Sequence, residues 1–214
     1  MLDAIIRKQI DLPLAVIARQ AVKWQISATS ATVAGFVLGL GAAGLVVAQL
    51  YWAAAVVLLV SRLLDGVDGA IARQTQATDL GGFLDVVLDF VVFATVMFSF
   101  ALVDPAANAL AAAFLATSFM APAVTSLAYA IFAAKHGLST DGRGATSLYF
   151  LGGLTERTET ILCLVLMCVF PAWFSTIAVV FAVMCWITGG TRIAAAVTAL
   201  GGVDRPTVVA EVAR

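Results

Sequence analysis

Four carboxylates in an apolar setting are the residues of this chain whose type and spacing could do chemistry. Asp65, Asp68, Asp85 and Asp89 lie in two apolar runs joined by a short polar connection. Left unpaired in lipid, each would cost roughly 2.5–3.5 kcal/mol on insertion scales. Something must offset that cost. On a helix, residues three and four apart share a face. Asp65, Asp68, Gly69, Ala72 and Arg73 therefore line one stripe, and Gly81, Asp85 and Asp89 line another. Two helices joined by Gln74–Asp79 would be antiparallel neighbours, with the stripes able to face each other. Four carboxylates brought together repel unless cations lie among them. Oxygen ligands suit hard divalent ions, Mg²⁺ above all, and two such ions would balance four carboxylates. Gly69, Gly81 and Ala72 leave room for a ligand to back onto the helices.

Written as D-x-x-D-G-x-x-A-R, a gap, then G-x-x-x-D-x-x-x-D, this stretch resembles the signature of the CDP-alcohol phosphotransferases (CDP-alcohol phosphatidyltransferases). Asp65, Asp68, Gly69, Ala72, Arg73, Gly81, Asp85 and Asp89 fill every position of it. The resemblance implies transfer of a substituted phosphoryl group from a CDP-linked donor, most often CDP-diacylglycerol, to the hydroxyl of a small polar acceptor, with release of CMP. It implies that Asp65, Asp68 and Asp85 hold two divalent cations, Mg²⁺ or Mn²⁺. Asp89 would stand near them and serve as the base that takes the acceptor's proton. Gly69, Ala72 and Gly81 would make room for the cytidine nucleotide, and Arg73 would lie near its phosphates. A homodimer is implied as well. Many members carry a Pro-Asn pair and then a Thr ahead of the second helix. Thr32 matches that Thr and joins the nucleotide-binding set, whereas Thr29 stands where the Asn would be.

The elements that must position these residues follow from composition. With 62% hydrophobic and only 12% charged residues among 214, the chain is expected to be an all-α integral membrane protein with one multi-pass domain. A net charge of −1 without basic clusters gives no support for nucleic-acid binding. Charges interrupt residues 1–25, so they do not read as a signal peptide. Their apolar residues Leu2, Ile5, Ile6, Ile10, Leu14, Ile17 and Val22 recur at helical spacing, as in an amphipathic helix lying on the bilayer. Six spanning helices are expected near Ala31–Leu50, Trp52–Arg73, Asp79–Val103, Pro105–Lys135, Ser147–Phe170 and Trp173–Leu200. The domain would run over 26–200, with a tail at 201–214. Lys and Arg avoid the connections at Tyr51, Asp104 and Pro171–Ala172 and collect at the others. The positive-inside rule then places both termini and the aspartates at the cytoplasmic face of a bacterial or archaeal plasma membrane.

Other polar residues admit two readings each. Ser27 to Thr32 could form a helix cap. In the loop from Lys135 to Ser147, Arg143 could reach a phosphate or be solvated. His136, the one histidine, stands at a helix end where it can meet carbonyls. Glu156, Arg157 and Glu159 fall in or at the mouth of the fifth helix, and Arg192 lies in the last. Ionisable residues at membrane depth are candidates for function, so these and Arg143 form the candidate acceptor pocket. The competing reading of Arg192 is snorkelling to the interface. Cys163, Cys168 and Cys185 sit in apolar runs and read as packing. Two other classes compete with the enzyme: a divalent-cation transporter using the aspartates as its ion path, and a non-catalytic scaffold with a structural metal.

Overall fold

A computed structural model describes residues 2–136 and 153–203. Among them there is no strand. Seven α-helices follow one another: α1 Leu2–Lys23, α2 Ala28–Val47, α3 Tyr51–Gln74, α4 Asp79–Val103, α5 Pro105–Lys135, α6 Arg157–Val169 and α7 Phe174–Val203, the last preceded by a 3₁₀ turn at Pro171–Trp173.

Most starts are legible as caps. Ser27 accepts from the Ser30 amide at 3.1 Å, which bears out the cap reading of that polar cluster. Thr78 accepts from the Gly81 amide at 3.1 Å and so opens α4. Asp104 accepts from the Ala107 amide at 3.0 Å, with Pro105 in the first turn of α5, where a missing N–H costs nothing. The chain leaves α1 and α2 through Gln25 and Gln49, whose φ values of 58° and 61° turn it sharply back.

The core is built from large apolar side chains: Leu58 of α3, Val92, Val96, Met97 and Phe100 of α4, Leu115 of α5, Leu164 and Met167 of α6. Phe100 stacks on Phe174 with ring centroids 4.6 Å apart. Small residues let the helices close. A Cβ on Gly39 would stand 2.6 Å from both methyl carbons of Val92, so α2 and α4 meet there at backbone distance. The outer surface is apolar too: Val56, Leu63, Phe98, Leu110, Ile131 and Val197 are among many exposed large hydrophobics. A surface that apolar suits lipid, not water.

Among the described residues, four helical segments are long and apolar enough to cross a membrane: α2, α4, α5 and Pro171–Gly201. Two expected spans depart from that criterion. Helix α3 has the length but carries Arg62, Asp65, Asp68 and Arg73. Helix α6 begins at Arg157, so the expected start near Ser147 is corrected within the described residues: 153–156 are not helical, and Glu156 with Glu159 forms a capping box that opens the helix. Its 13 residues reach about 20 Å. Arg143, Ser147 and the rest of 137–152 lie outside the described residues; of the expected tail at 201–214, residues 201–203 belong to α7 and the remainder lies outside the described residues.

Residues 2–23 are helical. Leu14, Ala18 and Ala21 pack on Val67, Ala70 and Ile71 of α3 in a second, smaller core. Ile17, expected on the apolar stripe with Leu14, is instead exposed. The face of α1 turned to the protein is thus the alanine face, and it packs behind the aspartate-bearing half of α3.

Candidate active site

The eight-residue motif falls on two helices, on either side of the connection at 75–78. Helix α3 ends there and α4 begins there, but α2 packs against both, so they are not the close antiparallel neighbours expected from the sequence, and their aspartates meet through side chains that reach across. Asp65 and Asp68 are buried on α3, and Asp85 is half-buried on α4. One carboxylate oxygen from each of the three lies within 4.8 Å of the others. Thr32 of α2 completes this arrangement by donating to Asp68 Oδ2 at 2.5 Å.

Asp89 stands apart from the trio. Its Oδ1 accepts from Arg62 Nη1, and its Oδ2 accepts from Arg157 Nη2. The Arg157 guanidinium also pairs with Asp65 Oδ2 and comes to 3.4 Å from Asp85 Oδ1. Arg157 therefore reaches from the start of α6 into the middle of the carboxylates. Four carboxylates meet two guanidiniums, which leaves two negative charges for further cations. That surplus, and a donor set made only of carboxylate oxygens, fits a hard divalent ion. Oxygens on opposite sides of one Mg²⁺ are about 4.2 Å apart, so the trio needs little closure to share an ion.

The remaining expected site residues are placed as follows. Gly69 and Ala72 lie on the stripe of Asp65, and Gly81 lies in the first turn of α4. A Cβ on Gly81 would meet Thr78 Oγ1 at 3.0 Å and Thr29 Oγ1 at 3.9 Å, so the two threonines crowd the mouth of the motif. Arg73 is exposed, with its nearest carboxylate partner Asp11 of α1 at 4.0 Å. Glu156 and Glu159 have carboxylates engaged at the start of α6: Glu156 Oε1 lies 3.4 Å from the Gly153 amide, and Glu159 Oε2 accepts from the Glu156 amide at 3.2 Å. Arg192 is buried between α5 and α7, where Nη1 donates to the Pro122 carbonyl at 2.9 Å and to Ser126 Oγ at 2.5 Å. Gly153 closes over it, since a Cβ there would stand 3.2 Å from Arg192 Nε. So Arg157 joins the aspartates, whereas Arg192 belongs to a neighbouring seam.

Arg62 is the contact that motif reading missed. It stands three residues before Asp65 and so on the same stripe of α3. A signal was present: an arginine within an apolar helix needs a partner, and its stripe offered carboxylates.

The geometry can be set beside known proteins. The model of the CDP-alcohol phosphatidyltransferase family matches residues 25–200. The chain belongs to that family. It is 45% identical over 193 residues to inner membrane protein YnjF of Escherichia coli (strain K12), covering 90% of this chain and 94% of that protein. It is also 34% identical over 98 residues to archaetidylinositol phosphate synthase of Pyrococcus horikoshii, covering 45% of this chain and 52% of that one. Among solved structures, Mycobacterium tuberculosis phosphatidylinositol phosphate synthase (PgsA1) with CDP-DAG bound superposes at a TM-score of 0.72 and 21% identity, over 90% of this chain and 97% of that one. The same enzyme in complex with manganese and citrate gives 0.72 and 22%, over 90% and 92%. At those identities the likeness shows a shared fold. As a CDP-alcohol phosphatidyltransferase, the chain is a phosphotransferase, and its trio of aspartates falls on the signature residues from which the metal site was expected.

Proposed function

We propose that this phosphatidyltransferase moves a phosphatidyl group from a CDP-linked lipid, with CDP-diacylglycerol foremost, to the hydroxyl of a small polar acceptor, releasing CMP. The observation that carries the reading is the meeting of Asp65, Asp68 and Asp85 within 4.8 Å at one end of α3 and α4, in a chain of this family. Two divalent cations, Mg²⁺ or Mn²⁺, held by these residues and Asp89, would neutralise the diphosphate and stabilise CMP as it leaves.

The chain's own residues do the rest. Gly69, Ala72 and Gly81 keep side chains out of the space the nucleotide needs, and Arg73 lies at the exposed mouth where a phosphate arrives. Thr32 fixes Asp68, so its contribution to nucleotide binding runs through that carboxylate. Asp89 would take the acceptor's proton through Oδ2, the oxygen it shares with Arg157, once the acceptor draws that guanidinium away. Arg157 supplies a cation beside it, which suits an acceptor that carries negative charge. Arg143 and Arg192 remain candidates for the acceptor's outer contacts, with Glu156 and Glu159 holding the helix start that aims Arg157.

The membrane setting follows from the apolar exterior. With α3 and α6 lining polar surface toward the bundle interior, six helices from α2 to α7 make the spanning domain at 26–200. Helix α1 lies along the interface, and the residues that follow α7 make a tail. The distribution of Lys and Arg puts the aspartates on the cytoplasmic side, where nucleotide and metal are available, in a bacterial inner membrane as the name of the YnjF relative suggests.

The test is CMP release from CDP-diacylglycerol by purified protein with Mg²⁺ or Mn²⁺, offered glycerol phosphate, inositol, inositol phosphate, serine or water alone. Release that depends on one acceptor and stops with EDTA supports the reading and identifies the product. No release with any acceptor from a metal-loaded protein contradicts it.

A further inference from the structure

Arg62 has no place in the family signature, yet it holds one of the signature carboxylates. It is almost fully buried, with 4% of its side chain exposed, whereas Arg157 keeps 31%. Its contacts form a chain across three helices. The Ser61 hydroxyl donates to the Gly35 carbonyl of α2 at 2.6 Å and accepts from Arg62 Nη2 at 2.8 Å. Arg62 Nη1 donates to Asp89 Oδ1 on α4, and the guanidinium carbon lies 5.2 Å from the centre of the Phe93 ring, one turn further along that helix. The approach of α2 depends on Gly35, where a Cβ would stand 3.2 Å from the Ser61 carbonyl. A planar fork with two donors committed in different directions has one orientation in such a site.

We propose that Arg62 is a positioning residue for Asp89: by occupying Oδ1 from a fixed, buried seat it leaves Oδ2 as the oxygen that Asp89 presents to the carboxylate cluster. The two arginines divide the work. Arg62 is anchored on its far side by Ser61 and Phe93, so it stays with Asp89. Arg157 touches Asp65, Asp85 and Asp89 from a half-exposed seat and competes for oxygens that a metal would use. Asp89 thus has one oxygen held from the buried side by Arg62 and one shared with Arg157, and the second opens to proton transfer or a cation only when Arg157 yields it. This rests on the phosphatidyl-transfer reading of the site for its catalytic consequence, but the orientation of Asp89 can be read without turnover.

Arg62→Lys keeps the charge and cannot hold Asp89 and Ser61 together. Ser61→Ala keeps Arg62 and removes its far anchor. Both variants and the wild type are purified and compared for thermal unfolding, Mn²⁺ affinity by calorimetry, and CMP release. Expected for Arg62→Lys is a folded protein with donor KM within about threefold of wild type, kcat down at least tenfold and Mn²⁺ affinity weakened several-fold. Ser61→Ala should move the same quantities in the same directions by less. In an Asp89→Asn background Arg62→Lys should change Mn²⁺ affinity no further, because its route of action is gone. A folded Arg62→Lys protein with wild-type kcat and Mn²⁺ affinity overturns the proposal, as does an equal loss of affinity with and without Asp89. Should Arg62→Lys fail to fold, Ser61→Ala decides alone by the same criteria. If the wild type binds Mn²⁺ but releases no CMP, transfer is refuted while the Mn²⁺ cycle still judges Arg62.

Discussion

Arg157, at the first turn of α6, places its guanidinium on the Asp65 carboxylate of α3, so a residue distant in sequence closes the aspartate cluster. Removing one partner of a buried ion pair leaves the other uncompensated, at a cost of about 3–5 kcal/mol. Here Arg157 is half-exposed and several carboxylates share it, so a smaller loss is expected. Arg157→Ala should lower the unfolding temperature of metal-free protein and enlarge the stabilisation gained on adding Mn²⁺, because metal then meets less competition. Differential scanning fluorimetry in detergent with and without Mn²⁺ reads both. The same variant should raise the acceptor KM well beyond the CDP-diacylglycerol KM. Equal effects on the two substrates would remove Arg157 from the acceptor pocket.

Asp89→Asn keeps the shape of the side chain and removes its capacity to take a proton. Turnover should fall by about 10²–10⁴-fold, the usual worth of a positioned base, while CDP-diacylglycerol still binds. Pre-steady-state CMP release alongside a donor-binding assay separates these. Substantial residual turnover would move the base elsewhere.

Thr32→Val is the conservative way to cut the hydrogen bond to Asp68. Partners that orient metal ligands are typically worth 10–100-fold in metal affinity. Mn²⁺ titration of the variant should show a loss in that range with little change in unfolding temperature. Unchanged Mn²⁺ affinity would show that Asp68 needs no orienting partner.

Helix approach at Gly39 gives a stability prediction independent of the chemistry. Gly39→Ala puts a methyl 2.6 Å from the branched, rotamer-locked Val92 and should destabilise by about 1–3 kcal/mol. Gly41→Ala, with nothing within 4 Å of the new carbon, should be neutral or stabilise by up to about 1 kcal/mol. Thermal unfolding of the two variants in one detergent compares them. A Gly39→Ala protein as stable as Gly41→Ala would refute the close packing of α2 on α4.

The aspartate stripes were readable because a helical period and a costly charge are both properties of sequence alone. Asp65, Asp68 and Asp85 share one cluster for that reason. The division of labour among the charges was not readable. Whether Asp89 meets the metal trio or an arginine depends on which side chains other helices present, and Arg62 comes from the same stripe while Arg157 comes from about 70 residues further along. The length of α6 was misjudged because an apolar run continues upstream through Leu148–Leu151, and periodicity cannot show that Glu156 and Glu159 cap the helix at Arg157. Arg192 read as a candidate for the pocket or for snorkelling. It does not snorkel, because Pro122 and Ser126 of α5 offer acceptors inside the bundle that only the fold brings within reach.

The central claim is that the carboxylate cluster binds divalent cations and that phosphatidyl transfer depends on them. The most direct measurement is CMP release from CDP-diacylglycerol by protein stripped with EDTA, followed as Mn²⁺ is added back and bound metal is counted, in wild type and Asp68→Asn. Expected are no release when stripped, recovery that tracks the filling of two sites per chain, and loss of both binding and release in Asp68→Asn. Release that persists in EDTA, or that Asp68→Asn leaves intact, would contradict it.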